Sequence, residues 1–198
     1  MSPHPLDGRP VDARARARLK HQQPCCIWLT GLSGAGKSTI ANVLEERLHA
    51  AGRHTMLIDG DDLRGGLNHD LGFSAADRAE SVRRAAEVAR LMVEAGLIAV
   101  VGLISPFRAD RAAARARFAP GAFIEVFVDA PLAVCERRDP KGLYRRARSG
   151  QLPAFTGIDS PYEEPERPEL RLATAQQGVE ACVDQLLRWL QQRLAVAR

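Results

Sequence analysis

Apolar runs alternate with amphipathic stretches along most of this chain. Cys25–Thr30 is a short, nearly uninterrupted apolar run, which predicts a strand buried on both faces. Ser38–Ala51 follows with Ile40, Val43, Leu44 and Leu48 on one side, the spacing of a helix, and Gly52 supplies its C-terminal stop. The alternation continues with a strand near His54–Ile58 and a helix near Ala76–Ala95. That helix carries Val82, Ala85, Ala86, Ala89, Met92 and Val93 at helical spacing, and Gly96 closes it. A strand is expected at Leu97–Ile104, an Ala/Arg helix at Arg108–Phe118 and a strand at Ala122–Val128. Short helices at Pro131–Arg138 and Leu143–Ser149 precede residues 150–168, which are rich in Gly and Pro and have no period. A structureless loop of that length inside a compact domain is usually functional. A fifth strand at Leu170–Ala173 leads into a final helix, Gln176–Leu194. Its apolar stripe is Val179, Cys182, Val183, Leu186, Leu187, Leu190 and Leu194. The β–α alternation predicts an α/β fold, a parallel sheet with helices on both faces and ligands at the carboxyl ends of its strands.

The junction between the first strand and the first long helix reads Gly31-Leu32-Ser33-Gly34-Ala35-Gly36-Lys37-Ser38, followed by Thr39. This is a complete G-x-x-x-x-G-K-S loop in a strand–loop–helix context, so the fold is expected to be of the P-loop NTPase type. The glycines let backbone N–H groups turn inward around phosphate oxygens, and the helix N-terminus adds its positive dipole end. Residues 31–39 are the expected ATP-binding segment. Lys37 should reach the β- and γ-phosphates, and the Ser38 hydroxyl should sit on Mg²⁺. A mere glycine-rich turn does not account for the whole pattern at this junction.

At 198 residues, the chain suits one domain with a sizeable core. Residues 1–22 read as a flexible basic segment, with an Ala/Arg helix over 11–20, and residues 23–198 as the P-loop domain. Arg14, Arg16 and Arg18 fit a solvated helix better than a transit peptide. No apolar run has membrane-spanning length, and no apolar signal core precedes the domain, so no membrane partner and a cytoplasmic location are expected. The four cysteines, Cys25, Cys26, Cys135 and Cys182, form no C-x-x-C pair and read as buried thiols in a reducing compartment. Net charge is +4, but the basic residues are dispersed and aromatics make up only 5%. That combination favours anionic small molecules over nucleic acid.

No N-K-x-D motif is present, which argues against a GTPase, and the chain is short for a mechanochemical ATPase. A small P-loop kinase remains. Such an enzyme needs an acceptor site and a lid that excludes water. Asp59-Gly60-Asp61-Asp62-Leu63-Arg64 lies just past the second strand. A carboxylate there, foremost Asp61, can take a hydroxyl proton and orient that oxygen for in-line attack. Asp59 and Asp62 read equally well as helix-capping carboxylates.

Further blocks narrow the choice. They are Asp59–Asp61 with Arg64, Gly66–Asn68, Asp70–Ser74, Ala76–Arg78, Ile104–Arg108, Asp139–Tyr144 and Phe155–Glu163. With the P-loop, they make residues 21 to the C-terminus closely resemble the adenylylsulfate kinase (APS kinase) family. The resemblance implies ATP-dependent phosphorylation of the 3′-hydroxyl of adenosine 5′-phosphosulfate, with Mg²⁺, and Asp61 as catalytic base beside Lys37. It implies an acceptor site made by Asp61, Arg64, Asn68, Phe73, Arg78, Ser81, Ile104, Ser105, Phe107, Lys141, Phe155 and Asp159. The chemistry agrees: arginines suit the phosphosulfate anion and aromatic rings suit adenine. Ser105 has two readings, a phosphoserine intermediate or a substrate hydrogen-bonding residue in direct transfer. Several positions depart from the family pattern: Asp62, Gly65, His69, Ala173, and Ser81 where relatives carry a substrate-touching Asn. They bear on acceptor affinity. By analogy a homodimer and a functional link to ATP sulfurylase are expected. A related small kinase acting on another hydroxyl, or a non-catalytic nucleotide-binding regulator, are the alternatives.

Overall fold

The computed structural model describes residues 11–195, without the side chains of residues 194 and 195. The assignment of Leu194 to the last apolar stripe, and residues 1–10 of the segment read as flexible, lie outside the described residues. Among the described residues, β1 (Cys25–Thr30), β2 (Thr55–Asp59), β3 (Ile98–Gly102), β4 (Phe123–Asp129) and β5 (Leu170–Ala173) form one sheet in the order β2-β3-β1-β4-β5. Every pairing in it is parallel.

The helices are α1 (Ala13–Leu19), α2 (Lys37–Ala50), α3 (Gly60–Gly65), α4 (Ala75–Glu94), α5 (Arg108–Arg115), α6 (Leu132–Arg138), α7 (Leu143–Arg148) and α8 (Val179–Ala195). Strand side chains alternate between the two faces. Cys25, Ile27 and Leu29 of β1, with Val100, Ile124 and Val126, join Ile40, Leu44, Val183 and Leu186 on the α2/α8 face. Cys26 and Trp28, with Ala99, Val101 and Phe123, join Val82, Ala85, Ala86 and Ala89 on the α4 face. Each fully buried Leu, Ile or Val in these layers contributes roughly 1.5–3 kcal/mol, so the central strands are held from both sides. The four cysteines are buried free thiols.

Several boundaries differ from the sequence pattern, and the helix expected over Arg108–Phe118 ends at Arg115. The apolar run of β3 extends to Ile104, yet the strand stops at Gly102, and beyond it Ser105 adopts φ 40° where the chain leaves the carboxyl end of the sheet. Leu103 still donates its N–H to the Leu29 carbonyl at 3.2 Å and packs in the core of the α4 face, and both Leu103 and Ile104 border the cleft. The segment just past β2 is helical over Gly60–Gly65: Asp59 is the N-cap of α3, its Oδ1 accepting the Asp61 N–H at 2.9 Å. The last helix starts at Val179, since Gln176 and Gln177 turn back onto the Ala173 carbonyl.

Within the segment read as flexible, α1 is capped by Asp12 and lies against Gly96, where a Cβ would stand 3.0 Å from the Arg16 backbone. Gln22 ties this segment to the His54 and Gly96 carbonyls at 2.9 and 2.8 Å.

Candidate active site

The site lies beyond the carboxyl ends of β1, β2 and β3, in a cleft of about 750 Å³. Its nucleotide half grows out of β1. Gly31 has φ 153°, and a Cβ there would stand 2.4 Å from the Val128 carbonyl oxygen, so only glycine allows this turn. Gly34, at φ 74°, passes the Cys135 carbonyl with 3.0 Å for a Cβ. Gly36 is the N-cap of α2 and offers no side-chain cap, which leaves the first-turn N–H groups for an anion.

Lys37 Nζ is buried and donates to the Gly31 and Leu32 carbonyls at 2.9 and 2.8 Å. Burial lowers its pKa to about 8. Ser38 Oγ donates to Asp59 Oδ2 at 2.7 Å, so one carboxylate caps α3 with one oxygen and holds the P-loop hydroxyl with the other.

The acceptor half faces this loop. Asp61, Arg64, Phe73, Arg78, Ser81, Ile104, Ser105, Lys141 and Phe155 all line the same cleft. Lys141 Nζ donates to Asp61 Oδ2. The Arg64 guanidinium lies 4.1 Å from the centroid of the half-exposed Phe73 ring. Arg78 donates to the Phe73 carbonyl at 2.9 Å, to Thr156 Oγ1 and to the Ala154 carbonyl. Burial pushes both guanidinium pKa values down, and for Arg78 the nearby Arg64 charge adds to it. An anion between them relieves both effects.

The walls are joined mechanically. Tyr144 donates its hydroxyl to the Ser33 carbonyl at 2.9 Å and meets Phe155 edge-on, with centroids 5.0 Å apart. Gly157, at φ 93°, lets the loop pass over Leu32 and Leu132, whose methyl groups would stand 3.1 and 3.2 Å from a Cβ.

Some expected site residues stand behind the wall. Asn68 is buried and donates to Ser81 Oγ at 2.9 Å, so it backs a cleft residue instead of facing the cleft. Asp159 accepts the Ala154 and Phe155 N–H groups and thereby shapes the loop that carries Phe155. Phe107 is the N-cap residue of α5 and lies off the cleft wall. Gly31 and Leu32 support the P-loop from below through the Lys37 contacts.

Other lining residues escaped the sequence reading. Arg138, at the end of α6, donates to the Gly34 and Ala35 carbonyls at 3.3 Å each and to the Thr174 carbonyl at 2.5 Å. Thr174, Gln177, Gly178 and Val179 complete that side. Nothing in the local pattern of Arg137-Arg138 separates a cleft arginine from a helix-terminal one. Only their meeting across the fold does so.

The profile of the adenylylsulphate kinase family matches residues 23–173. The adenylyl-sulfate kinase of Marinobacter nauticus is 57% identical over 183 residues, covering 92% of this chain and 92% of that protein. The bifunctional enzyme NodQ of a Rhizobium species is 58% identical over 183 residues, where the chain spans 92% of itself but only 28% of that longer protein. Among solved structures, the Mycobacterium tuberculosis APS kinase CysC in complex with AMPPNP and APS superposes with a TM-score of 0.82 at 47% identity. The match covers 85% of this chain and 98% of that one. With its P-loop, its parallel sheet and relatives of this identity across the whole domain, the chain belongs to the adenylylsulphate kinase family.

Proposed function

We infer that this chain transfers the γ-phosphoryl group of ATP to the 3′-hydroxyl of adenosine 5′-phosphosulfate. The observation that carries the reading is one continuous cleft. It joins a P-loop to an exposed carboxylate, two mutually repelling arginines and two aromatic rings. ATP occupies the P-loop half. Lys37 exchanges its Gly31 and Leu32 carbonyl partners for phosphate oxygens, which restores its full charge. Arg138 and Thr174 border the nucleotide on the far side of the loop.

The Ser38 hydroxyl and the Asp59 carboxylate offer hard oxygen atoms side by side, a donor set that fits Mg²⁺. When bound, Mg²⁺ would neutralise charge on the transferring phosphates. Arg64 and Arg78 hold the phosphosulfate anion, and Phe73 and Phe155 flank adenine. Asp61 accepts the proton of the attacking hydroxyl, and Lys141 holds that carboxylate in place. The reaction needs little covalent help from the protein: positioning and charge stabilisation supply the rate.

Mg²⁺ dependence, a homodimer and a cytoplasmic location belong to the same proposal. So does a functional link to an ATP sulfurylase, supported by relatives that carry this unit within a longer bifunctional chain.

Measuring kcat/KM with Mg-ATP against adenosine 5′-phosphosulfate, gluconate, shikimate and nucleoside monophosphates tests the acceptor. Adenosine 5′-phosphosulfate is expected to lead the series. A different leading acceptor would overturn the substrate while leaving the kinase fold untouched.

A further inference from the structure

Three separate segments converge on one buried guanidinium behind the acceptor half of the cleft. Arg111, on α5, is 2% exposed and does not reach the cleft wall. Its Nε donates to Glu125 Oε1 on β4 at 2.7 Å. Its Nη1 donates to the Ser105 carbonyl at 2.6 Å, and its Nη2 to the Glu163 carbonyl at 2.7 Å. Ser105 belongs to the loop that leaves β3, and Glu163 ends the Phe155–Glu163 segment.

Both partners need holding. Ser105 carries a Cβ at φ 40°, in the left-handed region that such residues avoid. The segment around Glu163 has no helix or strand of its own. It is fastened by Glu163 N–H to the Pro106 carbonyl at 2.8 Å and by the Arg108 N–H to Glu163 Oε2 at 2.7 Å. Tyr162 adds a hydroxyl contact with Thr30 at 3.0 Å. Arg111 touches the Ser105 loop, the end of this segment and strand β4 together; on the β1 side Thr30 makes the smaller counterpart, its hydroxyl meeting the Ile104 carbonyl at 2.7 Å and Tyr162. The planar fork of arginine reaches its three acceptors from three separate nitrogens held in one rigid plane, whereas lysine has all its N–H groups on a single nitrogen and cannot span the same three positions.

We propose that Arg111 is a positioning residue for the acceptor. It locks the Ser105 loop to the Phe155–Glu163 segment and so sets where the acceptor hydroxyl stands relative to the P-loop. This rests on the kinase reading above. A purely stabilising ion pair with Glu125 would weaken the fold and both substrate sites alike. A positioning role acts on the acceptor alone.

The test compares wild type, Arg111→Lys and Glu125→Gln. Acceptor KM and kcat are measured with adenosine 5′-phosphosulfate, and affinity is measured for a non-hydrolysable ATP analogue. Arg111→Lys keeps the charge against Glu125 and loses the fork. Its acceptor kcat/KM is expected to fall about 10²-fold, as for a small misplacement of a reacting group. Glu125→Gln keeps the arginine, loosens its hold and should show a smaller fall. Analogue affinity should match wild type in both. Unchanged acceptor kcat/KM in a soluble Arg111→Lys, or a parallel loss of analogue affinity, would overturn the proposal. If Arg111→Lys does not fold, Glu125→Gln decides by the same two readouts. A wild-type chain inactive on adenosine 5′-phosphosulfate overturns the functional reading and this inference with it. Active wild type with indifferent variants overturns this inference alone.

Discussion

The indole N–H of Trp28 donates to the Ser105 hydroxyl at 3.1 Å, from a ring that is itself fully buried. Ser105 is 3% exposed, and its own proton points toward the Leu103 carbonyl at 3.4 Å. A nucleophilic serine needs a nearby base and access to the phosphorus. This oxygen instead accepts a hydrogen bond from a core tryptophan. Direct transfer is therefore expected, and Ser105→Ala should retain measurable turnover. The variant should lose stability, by about 1–3 kcal/mol, because the Trp28 N–H is left unpaired. Rapid quench with labelled ATP should trap no labelled protein. A labelled species forming as fast as turnover would reverse this conclusion.

Lys37 supplies a prediction with a definite sign. Its pKa falls from 10.5 to about 8 because burial disfavours the cation. Between those two values the unfolded chain binds more protons than the folded one. Stability of the nucleotide-free fold therefore gains from Lys37 as pH rises from 8 to 10.5, and its full penalty is present below 8. Bound phosphates pull the other way and raise the pKa of Lys37. ATP binding above pH 8 should thus take up a proton, and ATP affinity should fall as pH rises through 8. Titration calorimetry at pH 8.5–9 in buffers of different ionisation enthalpy reads that proton directly. Lys37→Ala should abolish the uptake and cut turnover by about 10³-fold.

The sheet and the P-loop were legible because each has a local signature: continuous apolar runs for strands buried on both faces, and glycines where no Cβ fits. Gly31 shows this directly, with its Cβ position 2.4 Å from a carbonyl oxygen. The grouping of the residues opposite the P-loop was legible only as an ordered set of short motifs. Asp61, Arg64, Phe73, Arg78 and Lys141 meet in the cleft, yet no spacing rule alone brings residue 141 to residue 61. The misses share one physical cause. Arg111 sits in an Ala/Arg helix and Arg138 ends a short one, where no local pattern marks either side chain as buried or cleft-lining, and Glu125 interrupts an apolar strand. Their meaning comes from partners distant in sequence: Glu125 is 14 residues from Arg111, and Thr174 is 36 from Arg138. Asp159 and Asn68, expected at the substrate, stand behind the wall: the Asp159 oxygens accept backbone N–H groups, and the Asn68 amide nitrogen donates to Ser81 while its Oδ1 is buried without a partner.

The Ser38–Asp59 pair predicts how the metal requirement changes. Ser38→Ala removes an oxygen, and Asp59→Asn removes the charge beside it while keeping an acceptor for the Asp61 N–H. Each should raise the Mg²⁺ concentration for half-maximal rate by about 10-fold, roughly 1.4 kcal/mol of lost binding. Chelation of Mg²⁺ should stop wild-type turnover, and re-addition should restore it. A variant with an unchanged Mg²⁺ profile would place the metal elsewhere.

Asp61 stands at the junction of the two halves, exposed to the cleft and paired with Lys141 across 80 residues of chain. The pair is open to solvent, at 66% and 52% side-chain exposure, so it adds little to stability. In the proposed reaction its use is geometric: Lys141 would aim the carboxylate so that an arriving hydroxyl finds a fixed acceptor for its proton. Asp61→Asn keeps the shape and loses the base, so kcat should fall by about 10²–10⁴-fold, the span of a general base. ATP-analogue affinity should not change, because the P-loop contacts of Lys37 and Ser38 do not involve Asp61. Lys141→Met should lower kcat less, because the base remains and only its aim is lost. Melting temperature should stay near wild type in both. Equal kcat values for Asp61→Asn and wild type would assign the proton to another group, and Asp59, bonded to Ser38, would be the next carboxylate to replace.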